Sequence, residues 1–476
     1  MVPSIRTSVL LGGLQTSFHY SARSTTSLFF SSTKRRYFGQ LVSSDFEFLS
    51  GMNEPSCPCC FFMGKNVFLP WDDTNNVGVE CMKVADEISL TLAADVLSPS
   101  EAWDAIKSAR ADTDQQQQPI ALVDTHGHPH LERKIEYASQ DIDKKISLHN
   151  DETNVVVSIT CAVSPLDWTD TFKYACRSEH VLPALGIHPW YLGDILIDDI
   201  LESNNQNTNE EPVNIEQYLK WDWLSELETK LSEHPNLIVG EIGLCKMARF
   251  VREFPKALGG KATALQLQKI VFKRQMKLAA KWRRPVTVHC VNAHGLLMET
   301  LEEILNEAVE SCSSDGRLED DGAKTVRAEA FPTAIAMHSF TGTAHHVKEI
   351  LGFERKIFHP DQIELRGKKQ RRKKQQQKVE EEECDYDNLF YFGFSHSVNY
   401  VMCTSEKAKR KGVEAVKAIP GNRLLIESDV HASDDVILGT AGAAAYAANA
   451  RGESLEYVAE TSTKNGLRFI HSLRLS

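Results

Sequence analysis

The sequence predicts an α/β fold in which eight parallel strands alternate with helices and close into a (β/α)8 barrel of the TIM type. Eight short, mainly apolar runs follow one another after residue 120, as expected of strands that are buried in a parallel sheet. The stretches between them have helical periodicity. After Thr263, for example, one helix face carries Leu267, Ile270, Val271 and Leu278. Strands that alternate with helices in this way favour a closed barrel.

The predicted strands define the domain organisation of the 476-residue chain. In chain order they are 121–123, 154–160, 181–187, 237–242, 285–288, 333–337, 389–394 and 423–426. The barrel is predicted to occupy residues 119–476, with polar insertions near 202–214, 311–328 and 361–388. An N-terminal extension with a glutamine-rich linker, residues 45–118, precedes it and contains a possible helix over 99–110.

The first 44 residues contain no Asp or Glu, and they carry five Arg or Lys among many Ser and Thr. This composition is typical of an organelle transit peptide, whereas the apolar run at residues 9–11 is too short for a secretory signal. The sequence therefore predicts a mitochondrial protein. If residues 1–44 are instead a disordered tail, the cytoplasm or the nucleus is the expected location.

Composition excludes several classes of protein. Hydrophobic residues make up 42% and charged residues 25%, which rules out a wholly disordered, collagen-like or multi-span membrane chain. No stretch reaches the roughly 18 consecutive apolar residues of a membrane helix, so no membrane partner is predicted. The formal net charge is −12, whereas proteins that bind nucleic acid over their whole surface are usually basic. Any nucleic acid must be bound locally, for example through metal ions.

The 11 cysteines predict a reducing compartment, because their number is odd and they form no legible disulfide framework. Cys57, Cys59, Cys60 and Cys81 are interpreted as loop or packing cysteines. A zinc site would need a second pair of ligands at regular spacing, and only Cys81 is available for it.

The residues that carry chemistry stand at the ends of the predicted strands. They are His126 and His128 after the first strand, Glu241 in the fourth, His289 in the fifth, His338 in the sixth and Asp429 after the eighth. In a barrel, the carboxyl ends of all strands meet at one mouth. A lone buried histidine is usually a hydrogen-bonded core residue, but six such side chains at the same ends of five strands predict two divalent ions that share one carboxylate.

These residues lie within motifs that resemble the TatD family of metal-dependent hydrolases. The matching segments are Val123-Asp124-Thr125-His126-Gly127-His128, Gly186-Ile187-His188-Pro189, Gly240-Glu241-Ile242-Gly243-Leu244, Phe272 to Ala279, His289, His338-Ser339-Phe340-Thr341-Gly342, Glu427-Ser428-Asp429 and Glu456 to Gly466. They occur in family order over residues 120–472.

The resemblance implies a TIM-type barrel that binds two divalent metal ions and hydrolyses phosphodiesters, typically as a deoxyribonuclease with 3′-exonuclease character. One ion would be held by His126, His128 and Asp429. The second would be held by His289 and His338, with Glu241 as the bridge and with Glu241 and Asp429 as catalytic residues. Zn, Mn and Mg remain open as the metal. Asp124 would orient a ligand histidine from behind, and His188 would contact the phosphate of DNA or another phosphodiester.

Several positions depart from the family pattern and resemble a divergent, fungal-type subgroup. Cys245 stands where the family usually has Asp, and His431 stands where it often has Pro. Val291 occupies the place of a common arginine, which is a plausible phosphate donor. The predicted metal ligands are thus complete while the predicted substrate contacts are changed, so we expect hydrolysis with weak DNA binding.

Two other functions fit parts of the sequence. An amidohydrolase-like enzyme acting on a small molecule would use the same barrel, but such enzymes often bridge their metals with a modified lysine where this chain has Glu241. A non-catalytic interaction protein on a retained barrel would suit the extension and the insertions. It would have no chemical need for six convergent ligands.

The N-terminal segment yields the first testable prediction. We expect a fusion of residues 1–50 to a fluorescent protein to accumulate in mitochondria, because the segment is basic and free of acidic residues up to Asp45. Fluorescence microscopy against a mitochondrial dye measures this. A diffuse signal would favour the disordered-tail interpretation.

Overall fold

Eight parallel strands form one sheet in the computed structural model, in the order β1 to β8. The structure describes residues 96–108, 122–132, 156–176, 178, 180–197, 214–313, 320–359 and 388–475. The strands are β1 Leu122–Gly127, β2 Val156–Cys161, β3 Val181–Leu185, β4 Ile238–Cys245, β5 Val286–Val291, β6 Ile335–Met337, β7 Phe390–Ser395 and β8 Leu424–Glu427. Each strand pairs in parallel with the next one along the chain.

Hydrogen bonds between the ends of β1 and β8 bring the sheet round into a nearly closed barrel. The Asp429 N–H donates to the His126 carbonyl over 2.9 Å, and the His128 N–H donates to the Val430 carbonyl over 2.8 Å. The carboxylate of Asp124 in β1 accepts from the backbone N–H of Ser428 over 2.8 Å and from its hydroxyl over 2.7 Å. The predicted eight-stranded TIM-type barrel is confirmed.

Helices follow the strands and cover the outside of the barrel. In the described segments they are α1 Pro99–Ser108, α2 Trp168–Ala175, α3 Asp222–Glu233, α4 Arg249–Glu253, α5 Gly260–Lys281, α6 His294–Ser313, α7 Asp320–Glu329, α8 Ala344–Phe358, α9 Glu406–Ala418, α10 Val436–Arg451 and α11 Leu455–His471. None of these combines the length and the apolar composition that crossing a membrane requires.

Two layers of apolar side chains pack on either side of the strands. The larger cluster joins outward-facing strand residues to the helices, for example Val239 and Val288 to Phe272 of α5 and Leu301 of α6. A second cluster brings together small and apolar residues of six strands, which are Ile159, Ala184, Ile238, Ala336, Tyr391 and Leu425. Since side chains alternate along each strand, one face of the sheet packs on helices while the other fills the barrel.

Several predicted segments lie outside the described residues. They include residues 1–44, the four N-terminal cysteines considered for zinc, and nearly all of the 202–214 and 361–388 insertions. Helix α1 lies within the segment predicted as helical in the N-terminal extension. The 311–328 insertion overlaps the end of α6 and most of α7, which leaves only residues 314–319 of it undescribed.

Two buried glutamines on α5 hold the ends of β3 and β4 against the helix. The Gln275 side chain accepts from the Ile187 N–H over 2.7 Å and donates to the Ile187 carbonyl over 3.3 Å. The Gln268 side chain accepts from the Cys245 N–H over 3.0 Å and donates to the Pro189 carbonyl over 3.1 Å. A side-chain amide thus supplies hydrogen bonds where the two strands leave the sheet.

Replacing one of these amides tests its contribution to stability. Gln275→Met keeps the side-chain volume but leaves the N–H and C=O of Ile187 buried without partners. We expect the free energy of unfolding to fall by about 1–3 kcal/mol. Urea unfolding followed by circular dichroism measures it. Gln266→Met, on an exposed position of the same helix, is the matched control, and an equal loss in both variants would contradict the prediction.

Candidate metal centre

Five strands bring the six predicted ligands together at the carboxyl end of the barrel. His126 lies in β1, Glu241 in β4 and His289 in β5, while His338 follows β6 directly and Asp429 lies two residues beyond β8. These side chains, like that of His128, are almost completely shielded from solvent, and the exposed fraction is at most 4%. The predicted convergence at one mouth is therefore what the structure shows.

The carboxylate of Glu241 is at the centre of this cluster, and histidine nitrogens surround it. Its Oε2 lies 3.2 Å from His126 Nε2 and 3.3 Å from His128 Nε2. Its Oε1 faces Nδ1 of His289 at 2.9 Å, Nε2 of His188 at 3.2 Å and Nε2 of His338 at 3.7 Å. The two oxygens thus face two different sets of nitrogens, as expected of a carboxylate that bridges two ions.

Glycine residues allow the strands to approach closely around Glu241. Gly243 has a φ of +150°, and a Cβ there would lie 2.0 Å from the carbonyl oxygen of His289. A Cβ at Gly186 would lie 2.8 Å from the carbonyl oxygen of Glu241 itself. A larger residue at either position would collide with a neighbouring strand, so glycine is required beside the carboxylate.

Hydrogen bonds behind the first two histidines set their ring orientation. His128 Nδ1 lies 2.6 Å from the carbonyl oxygen of Cys161, so this nitrogen carries the proton and donates it. His126 Nδ1 lies 2.8 Å from the hydroxyl of Thr287. The remaining Nε2 atoms of the two rings face each other over 3.2 Å. A cation placed between these nitrogens would satisfy both, which is how a metal-binding pair of histidines is oriented.

Several buried polar atoms of the cluster make no hydrogen bond of good geometry in the described part of the chain, although the Glu241 oxygens lie close to histidine nitrogens. They are both carboxylate oxygens of Glu241, Oδ1 of Asp429, Nδ1 of His338 and Nε2 of His188 and His289. Leaving such an atom unsatisfied costs about 1–3 kcal/mol, and more for charged groups. The arrangement therefore fits divalent cations, which prefer histidine and carboxylate ligands in combination.

Three groups of ligand atoms are close enough together to hold an ion. Within each group the atoms lie no more than 4.8 Å apart, and the groups are His126–His128–Asp429, His126–Glu241–His338 and His188–Glu241–His289. The first is the set that the sequence assigned to one ion. The other two differ from the predicted pairing, since they place His338 beside His126 and place His188 beside His289.

Distances between ring centroids show which histidines His338 and His188 contact. The His338 ring stacks on that of His126 with centroids 3.5 Å apart, whereas the centroids of His289 and His338 are 6.1 Å apart. The His188 ring meets that of His289 edge to face at 4.5 Å. The structure thus brings His188, which the sequence assigned to the substrate phosphate, within reach of Glu241.

The charges of the cluster shift the pKa of its members in opposite directions. Burial opposes a charge on His338, but the carboxylates of Asp429, Glu427 and Glu241 outweigh it and raise the pKa of His338 to about 10. Burial likewise acts against a charge on Glu241, but the neighbouring histidines hold its pKa well below the usual value. The centre therefore attracts positive charge, and a metal ion would displace the protons that otherwise supply it.

Asp124, predicted to orient a ligand histidine, contacts His126 through the backbone. Its carboxylate accepts from the His126 N–H over 3.3 Å, and its stronger bonds are those to Ser428. Burial raises the pKa of Asp124 to about 7. The structure thus places Asp124 in the seam between β1 and β8, where it fixes the backbone that carries the ligands.

Glu427 is a residue of the site to which the sequence assigned no role. Its Oε1 lies 3.0 Å from His338 Nδ1, and its carboxylate also accepts from the Ser339 N–H. The Ser339 hydroxyl in turn donates to Asp429 Oδ2 over 2.9 Å. Gly393 leaves space for this carboxylate, because a Cβ there would lie 2.2 Å from Glu427 Oε2. The available signal was its position as the last residue of β8, at the end of the barrel where the predicted ligands meet.

Comparisons with known sequences match the part of the chain that carries most of the predicted ligands. The family model for TatD related DNase matches residues 123–359, which include His126, His128, Glu241, His289 and His338. The Cut9-interacting protein scn1 of Schizosaccharomyces pombe is 24% identical over 284 residues, which cover 54% of this chain and 73% of that protein. An uncharacterized deoxyribonuclease of Saccharomyces cerevisiae, YMR262W, is 27% identical over 234 residues, which cover 43% of this chain and 64% of that protein.

The solved structures to which this chain is similar have a lower sequence identity than these two relatives. The TatD homologue YJJV of Escherichia coli is 16% identical, with a TM-score of 0.43 over 73% of this chain and 97% of its own. A TatD family hydrolase of Entamoeba histolytica is 12% identical, with a TM-score of 0.45 over 74% of this chain and 99% of its own. On the family match and on the ligand residues that lie within it, the chain belongs to the TatD family of metal-dependent hydrolases.

Proposed function

We propose that the protein is a divalent-metal-dependent phosphodiesterase, a TatD-type deoxyribonuclease with 3′-exonuclease character. The observation that carries this proposal is the buried Glu241 carboxylate, whose two oxygens face different sets of histidine nitrogens at 2.9–3.7 Å. Such a carboxylate suits two cations side by side. Two bound divalent ions would acidify a water molecule and stabilise the leaving oxygen of a phosphodiester.

The side chains would divide the work as follows. His126, His128 and Asp429 would hold one ion, with Glu241 as the bridge. His289 would hold the second, and the geometry supports His188 as its partner because both lie within reach of the same Glu241 oxygen. His338 lies 3.7 Å from both Glu241 Oε1 and Asp429 Oδ2, so it borders both positions.

Asp429 would have a second task, which is to accept a proton from the attacking water. Its Oδ2 is held by the hydroxyl of Ser339, and its Oδ1 has no hydrogen-bond partner in the described residues. The Asp429 pKa is lowered: burial alone would raise it, but His338, His126 and His128 outweigh that effect. An ionised carboxylate can hold a cation through one oxygen and accept a proton from water on the other.

The substrate is proposed to be DNA, and two points support this. The matched family is described as TatD related DNase, and the S. cerevisiae relative is named a deoxyribonuclease. The net charge of −12 gives the protein no general attraction for a polyanion, so the phosphate would be drawn to the ions themselves.

An interaction role is the second candidate, because the S. pombe relative is named for its interaction with Cut9. The two functions are separable by experiment. A protein partner would still bind a variant that has lost its metal ligands, whereas hydrolysis would not survive their loss.

A nuclease assay with a Glu241 variant tests the proposed function. We expect the protein to degrade single- or double-stranded DNA when supplied with Zn, Mn or Mg. Glu241→Gln should lose at least one ion per chain and at least about 100-fold in activity, because the neutral amide cannot bridge two cations. Elemental analysis and a fluorescent oligonucleotide measure the two effects.

The matched control for this assay is Glu310→Gln, which changes an exposed carboxylate on α6. It should keep the metal content and the activity of the original chain. Full two-metal occupancy in Glu241→Gln would contradict the bridging role. Absence of DNA cleavage with every metal tested would contradict the nuclease proposal.

Glu427 yields a separate prediction about metal affinity. Its carboxylate orients the His338 ring, and loss of such a supporting group typically weakens metal binding by about 10- to 100-fold. We expect this weakening in Glu427→Gln, measured by competition with a chromophoric chelator, while Glu310→Gln stays unchanged. Equal metal affinity in the original chain, Glu427→Gln and Glu310→Gln would show that His338 needs no support from Glu427.

A further inference from the structure

We propose that His431 binds a non-bridging phosphate oxygen of the substrate through an imidazole N–H, and that it is a substrate contact of this chain in addition to the metal ligands. The inference rests on the proposed function. It is carried by a partly exposed residue whose ring contacts that of His128 and has a buried nitrogen, Nε2, without a hydrogen-bond partner in the described residues.

His431 adjoins the ligand cluster and is partly exposed to solvent. The loop after β8 carries it two residues beyond Asp429, and the hydrogen bond from the His128 N–H to the Val430 carbonyl, 2.8 Å long, fixes that loop. The ring meets the His128 ring edge to face, with centroids 5.4 Å apart and planes at 88°. His128 is fully buried, whereas His431 is partly exposed, so His431 is the member of this ring pair that a ligand from the solvent would meet first.

A second histidine beside His128 shows what a purely structural ring looks like here. The His130 centroid is 6.3 Å from that of His128. His130 Nδ1 lies 2.8 Å from the Thr160 hydroxyl, and its Nε2 lies 3.1 Å from Asp167 Oδ2, so both ring nitrogens are paired. In contrast, Nε2 of His431 is buried and has no hydrogen-bond partner in the described segments. A buried polar atom of this kind is expected to find a partner when a ligand arrives.

The chemistry of the position favours a phosphate oxygen as that partner. An imidazole N–H donates a hydrogen bond, and a phosphate oxygen is a strong, charged acceptor. Val291, the last residue of β5, stands where the resemblance implies an arginine and has no side-chain donor. At residue 431 the resemblance implies a proline, which has no side-chain donor. Residue 431 is therefore a position beside the cluster where this chain carries a side-chain donor that the resemblance does not imply.

Equilibrium binding of inorganic phosphate to the metal-loaded protein tests the contact without requiring turnover. We expect His431→Ala to raise the Kd for phosphate, and the KM for a single-stranded oligothymidylate, by about tenfold or more, as for loss of a hydrogen bond to a charged group. The metal content should not change, and kcat should stay within about threefold. His431→Gln retains an N–H donor and should recover part of the affinity.

The matched control is His345→Ala, since the His345 side chain is 75% exposed on α8. It should leave the phosphate Kd and the KM unchanged. An unchanged phosphate Kd in His431→Ala would overturn the proposal, and so would loss of metal, which would assign His431 to the ligand cluster. If the protein cleaves no DNA but the phosphate effect is present, the nuclease proposal fails while the phosphate contact stands.

Discussion

The burial of the Glu241 carboxylate is the constraint on which the rest of the site depends. A negative charge removed from water is strongly disfavoured unless cationic groups and hydrogen bonds compensate for it. Here the compensating groups are the rings of five histidines, which come from the ends of four different strands. Protons on some of these rings balance the charge in one state, and divalent ions would balance it in another. The negative potential that makes burial of this carboxylate unfavourable also attracts cations to the cluster.

The supporting bonds show how a barrel holds such a cluster in place. Asp124 joins the backbones of β1 and β8, so the histidines of β1 and the carboxylate of Asp429 are fixed relative to one another. Glu427 orients His338, and the glutamines of α5 hold the segments that lead to His188 and from Glu241. These contacts hold the backbone and several of the proposed ligand side chains in place, so little rearrangement would be required for an ion to bind.

The six predicted metal ligands match the family pattern that the sequence resembles, whereas several residues around them differ from it. The ligand side chains are all present at the mouth, whereas Cys245, Val291 and His431 replace residues that the resemblance implies. Of these, Cys245 is buried and interacts with His289, where it helps to raise the pKa of that ring to about 9, against the effect of burial. The positions that differ from the resemblance thus lie beside the ligand cluster and outside the set of six predicted ligands.

The sequence by itself determined the number of strands, the type of barrel and the identity of six residues at its mouth. It did so because apolar runs mark buried parallel strands, and because polar residues that end such runs must meet at one edge. Only the tertiary structure decided which histidine lies beside which oxygen. The predicted pair of His289 and His338 and the role of His188 depended on distances across the barrel, which are set by strand stagger and ring rotation. Glu427 and His431 became recognisable for the same reason, since a hydrogen bond to a ring nitrogen, or the lack of one, exists only once the strands have been brought together.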